Sequence, residues 1–138
     1  VKRDPRLHGL SSEHHHALVL ARRLASHGEA WTADDARALR KRFDAELEPH
    51  FATEEELLLP ALTAAGETDL VARTLADHAF LRECIANADP QNRDAVSAFA
   101  ERLQEHVRFE ERELFPACER VLDAAVLDAV AVRSPISR

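Results

Sequence analysis

The chain has 138 residues, and 18 Lys and Arg against 25 Asp and Glu give it a net charge of −7. That acidic balance argues against nucleic acid and anionic membrane as partners, which both require a basic surface, and no apolar run approaches the ~18–20 residues that span a bilayer. With 46% hydrophobic and 31% charged residues the chain reads as a folded single domain, residues 1–138, and with no basic-then-apolar signal at its start a cytoplasmic protein is expected.

Helical periodicity runs through the whole sequence, and three glycines leave little material for β-hairpin turns. From about Arg6 to Ser26, Leu7, Leu10, His14, Leu18, Ala21 and Leu24 recur every three or four residues, and Gly28 follows as a stop. Thr32 with Asp35 three residues later reads as a capping box that opens a second helix. This helix runs through Leu39, Phe43 and Leu47 towards Leu58, with a kink or bulge expected just before His50, because Pro49 removes a backbone donor. Pro60 loosens its end, and Ala64-Ala65-Gly66 finishes it. Thr68 or Asp69 is positioned to cap a third helix, whose apolar face carries Leu70, Val71, Leu75, Leu81 and Ile85 and which ends near Asp89-Pro90. Asn92 or Arg93 begins a fourth, with Val96, Phe99, Leu103, Val107 and Leu114 on its face. Pro116 is expected to interrupt it, leaving Cys118 to Val132 as a short apolar continuation. Short connections between helices of this length predict an all-α, antiparallel up-down four-helix bundle with a short C-terminal helical extension. That extension suits a cap on the bundle better than a dimer contact, and either a monomer or a homodimer is compatible with the sequence.

An internal repeat sharpens the picture. His50-x3-Glu54-Glu55-x2-Leu58-Leu59-Pro60-Ala61 matches His106-x3-Glu110-Glu111-x2-Leu114-Phe115-Pro116-Ala117, an offset of 56 residues from His50 to His106. Phe43 and Leu47 match Phe99 and Leu103 at the same offset. Helices 2 and 4 are therefore equivalent strokes of one site.

Side chains four residues apart on a helix lie about 40° apart around the axis and ~6 Å along it, so His and Glu in His-x3-Glu point the same way. Both pairs continue the apolar stripe of their helix, and a buried Glu is costly unless it is paired or bound to a metal. The other two helices each add an inward histidine. His78 lies among Leu75, Leu81 and Ile85, and in the 14–16 run His14 shares a face with Leu7 and Leu10, with His15 as the substitute. His8 and His27 lie near helix ends and read as surface residues. Imidazole and carboxylate without thiolate suit iron, manganese or zinc, and two axial carboxylates favour a dinuclear site because each can bridge two ions. Cys84 and Cys118 fall outside this pattern and read as buried free thiols, and Trp31 reads as packing.

These residues resemble the hemerythrin-like, or HHE cation-binding, family, from Glu13-His14-His15 through His50-Phe-x2-Glu54-Glu55 and His78 to His106-x3-Glu110-Glu111. The resemblance implies a four-helix bundle holding two non-haem iron ions joined by an oxo or hydroxo bridge, with zinc or manganese as alternatives. It implies His14, His50, His78 and His106 as terminal ligands and Glu54 and Glu110 as bridges. It also implies a small ligand such as O2, peroxide or NO, used in sensing, scavenging or weak redox catalysis. Two departures from the oxygen carriers stand out. Their fifth ligand histidine has no counterpart, since Thr74 and Arg82 flank His78 at four residues. Where they place an Asp five residues after the last histidine, this chain has Glu111, so Glu111 competes with Glu110 as bridge. Of about twelve positions on two octahedral ions, four imidazoles, two bridging carboxylates and a shared oxygen fill about ten. About two then stay open, which favours reactivity over simple oxygen carriage. The ferritin-like alternative needs duplicated Glu-x2-His, and only Glu13 to His16 fits it. An iron store or iron-responsive module without turnover is the other reading.

Overall fold

A computed structural model describes residues 2–27 and 31–136. The expected stop at Gly28 lies outside them. Among the described residues there is no strand, and no helix is long and apolar enough to cross a membrane. A short 3-10 turn, Pro5–Leu7, leads into α1, His8–Ala25. The second rod is built from α2 (Ala33–Arg42), a π turn (Phe43–Leu47), α3 (Glu48–Thr53), a second π turn (Glu54–Leu58) and α4 (Leu59–Ala64). The third rod is α5, Thr68–Ala86. The fourth comprises α6 (Arg93–Phe109), a third π turn (Glu110–Leu114) and α7 (Phe115–Val121), and a fifth helix, α8 (Ala124–Arg133), follows.

The prolines shape the rods without ending them. A proline within a helix lacks an N–H and crowds the carbonyl four residues back. Each π turn ends two residues before one, at Pro49, Pro60 and Pro116, and closes with a bond to the fifth residue back: Glu48 N–H to Phe43 O, Leu59 N–H to Glu54 O, Phe115 N–H to Glu110 O. The bulge expected before His50 is thus the first π turn. The fourth rod, by contrast, is not interrupted at Pro116. Its third π turn absorbs the proline, and the chain breaks only at Leu122 and Asp123, whose side chain accepts from Val126 N–H and opens α8. The two repeats differ at one point: Pro49 corresponds to Glu105, and α6 runs straight where the second rod bulges.

The Thr32–Asp35 capping box forms as expected, and Asn92 caps α6 through Ala95 N–H. On α5 the N-cap is Glu67, without a side-chain bond, rather than Thr68 or Asp69. Its inward face is Thr74, Asp77, His78, Leu81, Cys84 and Ile85, and Leu75 is 45% exposed, because at about 100° per residue it lies roughly 120° around the helix from the middle of that face.

Two apolar layers stack along the bundle. One contains Leu20, Leu24, Phe43, Phe51, Phe99 and Leu103; the other contains Leu7, Leu10, Leu58, Leu62, Leu114 and Phe115. Rods one and three enter through the second layer and leave through the first, whereas rods two and four run the opposite way. That ordering makes the bundle antiparallel and up-down. Leu127 and Val130 of α8 are buried in the second layer, so the C-terminal helix caps that end. His14, Glu54, His78 and Glu110 lie between the layers.

Candidate metal centre

Ten side chains make up the polar layer. Glu54 and Glu110, both fully buried, occupy its middle. His50 Nε2 lies 3.3 Å from Glu54 and 3.6 Å from Glu110, while His78 Nε2 lies 3.1 Å from the other oxygen of Glu54. His14 Nε2 lies 2.7 Å from Glu110 Oε1, and His106 Nε2 lies 3.3 Å from Glu110 Oε2. All four histidines are buried and turn the same nitrogen inward. All six residues expected from the sequence are therefore brought together. His15 and His16 face solvent, as His27 does, and His8 is half-buried and meets the Arg3 carbonyl. Glu110 lies in the middle of the layer and Glu111 at its edge.

Each histidine also holds an acidic residue at its outer nitrogen. His50 Nδ1 lies 2.7 Å from Glu13, His78 Nδ1 2.6 Å from Glu55, His106 Nδ1 2.9 Å from Asp77 and His14 Nδ1 2.6 Å from Glu111. These contacts form a closed ring: rod one supports rod two, two supports three, three supports four, and four supports one. Every outer carboxylate is the chain neighbour of an inward residue on its own rod, preceding it on rods one and three and following it on rods two and four. Reversed chain direction turns a preceding neighbour into a following one at the same angle around the axis, so the alternation follows from the antiparallel topology.

Asp77 is absent from the motifs of the sequence, Glu13 and Glu55 stand in them without a role of their own, and Glu111 enters only as a rival bridge. The signal was present as an acidic residue beside each inward one. Three of the four are further held by arginine: Glu111 by Arg3, Glu55 by Arg82 and Asp77 by Arg102. Glu13 has no arginine partner among the described residues. Thr74 is buried beside His78 and donates to the Leu70 carbonyl, while Arg82 reaches outward to clamp Glu48 and Glu55.

The electrostatics follow from this packing. Burial disfavours the charged form of His106, but Glu110 and Asp77 outweigh it and push its pKa up to about 10. His14 and His50 move up for the same reason, burial being overcome by Glu110 and Glu111 and by Glu54, Glu110 and Glu13 respectively. Burial would raise Glu110, yet His106, His14 and His50 hold it well below the usual carboxylate range. The Cys118 thiol is pushed far up by burial and then by Glu54 and Glu110, which keeps it protonated.

Protein contacts leave the centre incompletely paired. His50 Nε2 and Glu54 Oε2, and likewise His106 Nε2 and Glu110 Oε2, stand 3.3 Å apart as ion pairs but are buried without a hydrogen bond, and a buried polar atom without one costs about 1–3 kcal/mol. Two sets of ligand atoms lie within 4.8 Å of one another: His14, His50, Glu54 and Glu110, and Glu54, His78, His106 and Glu110. Each set could hold a cation, and Glu54 and Glu110 belong to both. The donor atoms therefore fit a pair of metal ions.

The family model for the hemerythrin HHE cation-binding domain matches residues 6–118. The chain belongs to the hemerythrin HHE family. No curated protein and no solved structure matches it. The matched span of this HHE domain reaches all four rods, ends within α7 and leaves out α8.

Proposed function

We propose that this HHE domain is a non-haem di-iron protein that binds O2 or a related small ligand, peroxide or NO, for sensing, scavenging or weak redox catalysis. The observation that carries this reading is the sharing of Glu54 and Glu110 by two overlapping ligand sets. His14 and His50 would serve one ion, His78 and His106 the other, and the two carboxylates both. Nitrogen and oxygen donors without thiolate suit iron, with zinc and manganese as competitors. Bound iron would supply the redox change and the affinity for small ligands.

The chain's own part is orientation and dryness. Each outer carboxylate accepts the Nδ1 proton of its histidine, which leaves Nε2 as the ligating atom and fixes the ring plane. Phe51 stacks on His78 and Phe115 on His14, at 3.9 and 5.1 Å between ring centres, and they hold these imidazoles from their apolar faces. The two apolar layers shield the centre from water along the bundle axis.

Aerobic purification followed by metal analysis and visible spectroscopy, with and without azide, peroxide or NO, tests the reading. About two irons per chain, with charge-transfer bands that shift on adding ligand, are expected. Iron bound without any ligand-dependent change would favour the store or iron-responsive module. A colourless protein unable to take up ferrous iron anaerobically would overturn the di-iron reading.

A further inference from the structure

A cavity of about 280 Å3 opens beside the polar layer, between α1, the first π turn and α6. Its rim is formed by His16, Ala45, Glu46 and Pro49, all exposed, with half-buried Glu13 and Arg42. Its walls are the buried side chains of Ala17, Leu20, Leu47, Phe51, Leu103 and Val107, and its inner end is formed by His14, His50 and His106. The cavity lies where the two repeats differ, since Leu47 belongs to the π turn that Pro49 imposes and that α6 lacks.

Volume and chemistry narrow the occupant. At about 30 Å3 per water the space corresponds to roughly nine waters, far more than a diatomic molecule needs and near the lower end of the range for organic ligands. Leucine, valine and phenylalanine walls favour an apolar body. At the rim, Arg42 Nε donates to Glu46 at 2.7 Å, which neutralises that arginine, and each histidine at the inner end is already matched by a carboxylate, His50 by Glu13, His106 by Asp77 and His14 by Glu111, so no cation among the described residues is left unpaired there. An organic anion is therefore disfavoured.

We propose that this cavity is a binding site for a small uncharged organic molecule with an apolar body and one oxygen-bearing end, the class of short branched or aryl alcohols and their hydroperoxides. The oxygen-bearing end faces His50. Binding itself needs only the cavity; that the bound molecule meets a reactive centre rests on the di-iron reading.

Benzyl alcohol is the probe. It is titrated into zinc-loaded protein carrying 13C-labelled Leu and Val methyls, or into metal-free protein if no metal is taken up. Saturable shifts at Leu20, Leu47, Leu103 and Val107, with none at Leu62 or Leu127, are expected in the millimolar range or tighter. Ala45→Trp, at the exposed rim, should weaken binding at least tenfold, and Leu20→Trp, which fills the cavity from within, should abolish it. Benzoate should bind at least tenfold more weakly than benzyl alcohol. Absence of saturable shifts, equal binding by Ala45→Trp and Leu20→Trp, or equal affinity for benzoate would overturn the proposal. Saturable binding to a protein that takes up no metal would uphold the cavity site and sink only the di-iron reading.

Discussion

Each histidine of the central layer has two tasks divided between its two ring nitrogens. A histidine turns Nε2 to Glu54 or Glu110 and Nδ1 to a carboxylate on a neighbouring rod, so removing either partner acts on the metal differently. Glu54→Ala or His106→Ala deletes a proposed ligand and should reduce bound metal to below one ion per chain. His8→Ala and His27→Ala, remote from the layer, should leave metal content unchanged by elemental analysis. Glu55→Gln and Asp77→Asn keep the shape but withdraw the negative charge that holds His78 and His106. Each should weaken metal binding about 10–100-fold in a competitive chelator titration, with helical content intact. An unchanged affinity would show that the outer ring does not govern the imidazoles. Position 74 shows the limit of reading a face by residue type: Thr74 is polar yet fully buried because its hydroxyl is satisfied by the carbonyl one turn back, as a lone polar residue in a helix can be.

At the scale of elements, proline and glycine decide how the rods run and meet. Three π turns absorb three prolines, and two of them begin at Glu54 and Glu110, so the residues at the centre sit where the helix is widened. The sequence exposed the cause at Pro49, where a bulge is expected, but the same logic at Pro116 suggests an interruption. A proline can be accommodated by one longer turn when downstream residues gain from packing. Here Phe115, Ala117 and Cys118 are all buried immediately after the turn. Glycine acts where α8 ends against α1. A Cβ on Gly9 would collide with the Ser134 carbonyl group. Because backbone is the obstacle, Gly9→Ala should destabilise the protein by about 1–3 kcal/mol. This should appear in denaturant unfolding, together with faster hydrogen exchange in α8 but not in α6.

For the whole molecule, the central layer is a buried charge cluster whose stability depends on pH and metal. In the metal-free protein His106 has a folded pKa of about 10, above its ordinary 6.5. The stability it contributes is fully present below pH 6.5 and is lost as pH rises through about 10. Glu110 is depressed from its ordinary 4.5, so its contribution is present above that value and is lost as pH falls through its folded pKa. The melting temperature of chelator-treated protein should therefore be highest between about pH 4.5 and 6.5 and decline on both sides. Metal must displace the protons on His14, His50 and His106, so loading should release protons and the gain in melting temperature should grow as pH rises from 6 to 8. A metal-free profile that keeps rising above pH 7 would contradict the packing described.

Much of this architecture is local in origin and was legible in the chain. A 3.6-residue period forms a helix wherever it falls, a Thr-x2-Asp cap satisfies its own backbone, and a His-x3-Glu pair shares a face by helical geometry alone. The repeat then placed His50, Glu54, His106 and Glu110 in equivalent positions before any packing was known. The tertiary structure alone decided what depends on one rod's rotation and height against another. It chose Glu110 over Glu111 for the middle of the layer and His14 over His15 for the interior. It closed the ring of outer carboxylates, in which partners such as His14 and Glu111 stand 97 residues apart. It also opened the cavity beside the first π turn. Sequence fixes the angle at which a side chain leaves its helix; which neighbour it meets is set by packing all four rods at once.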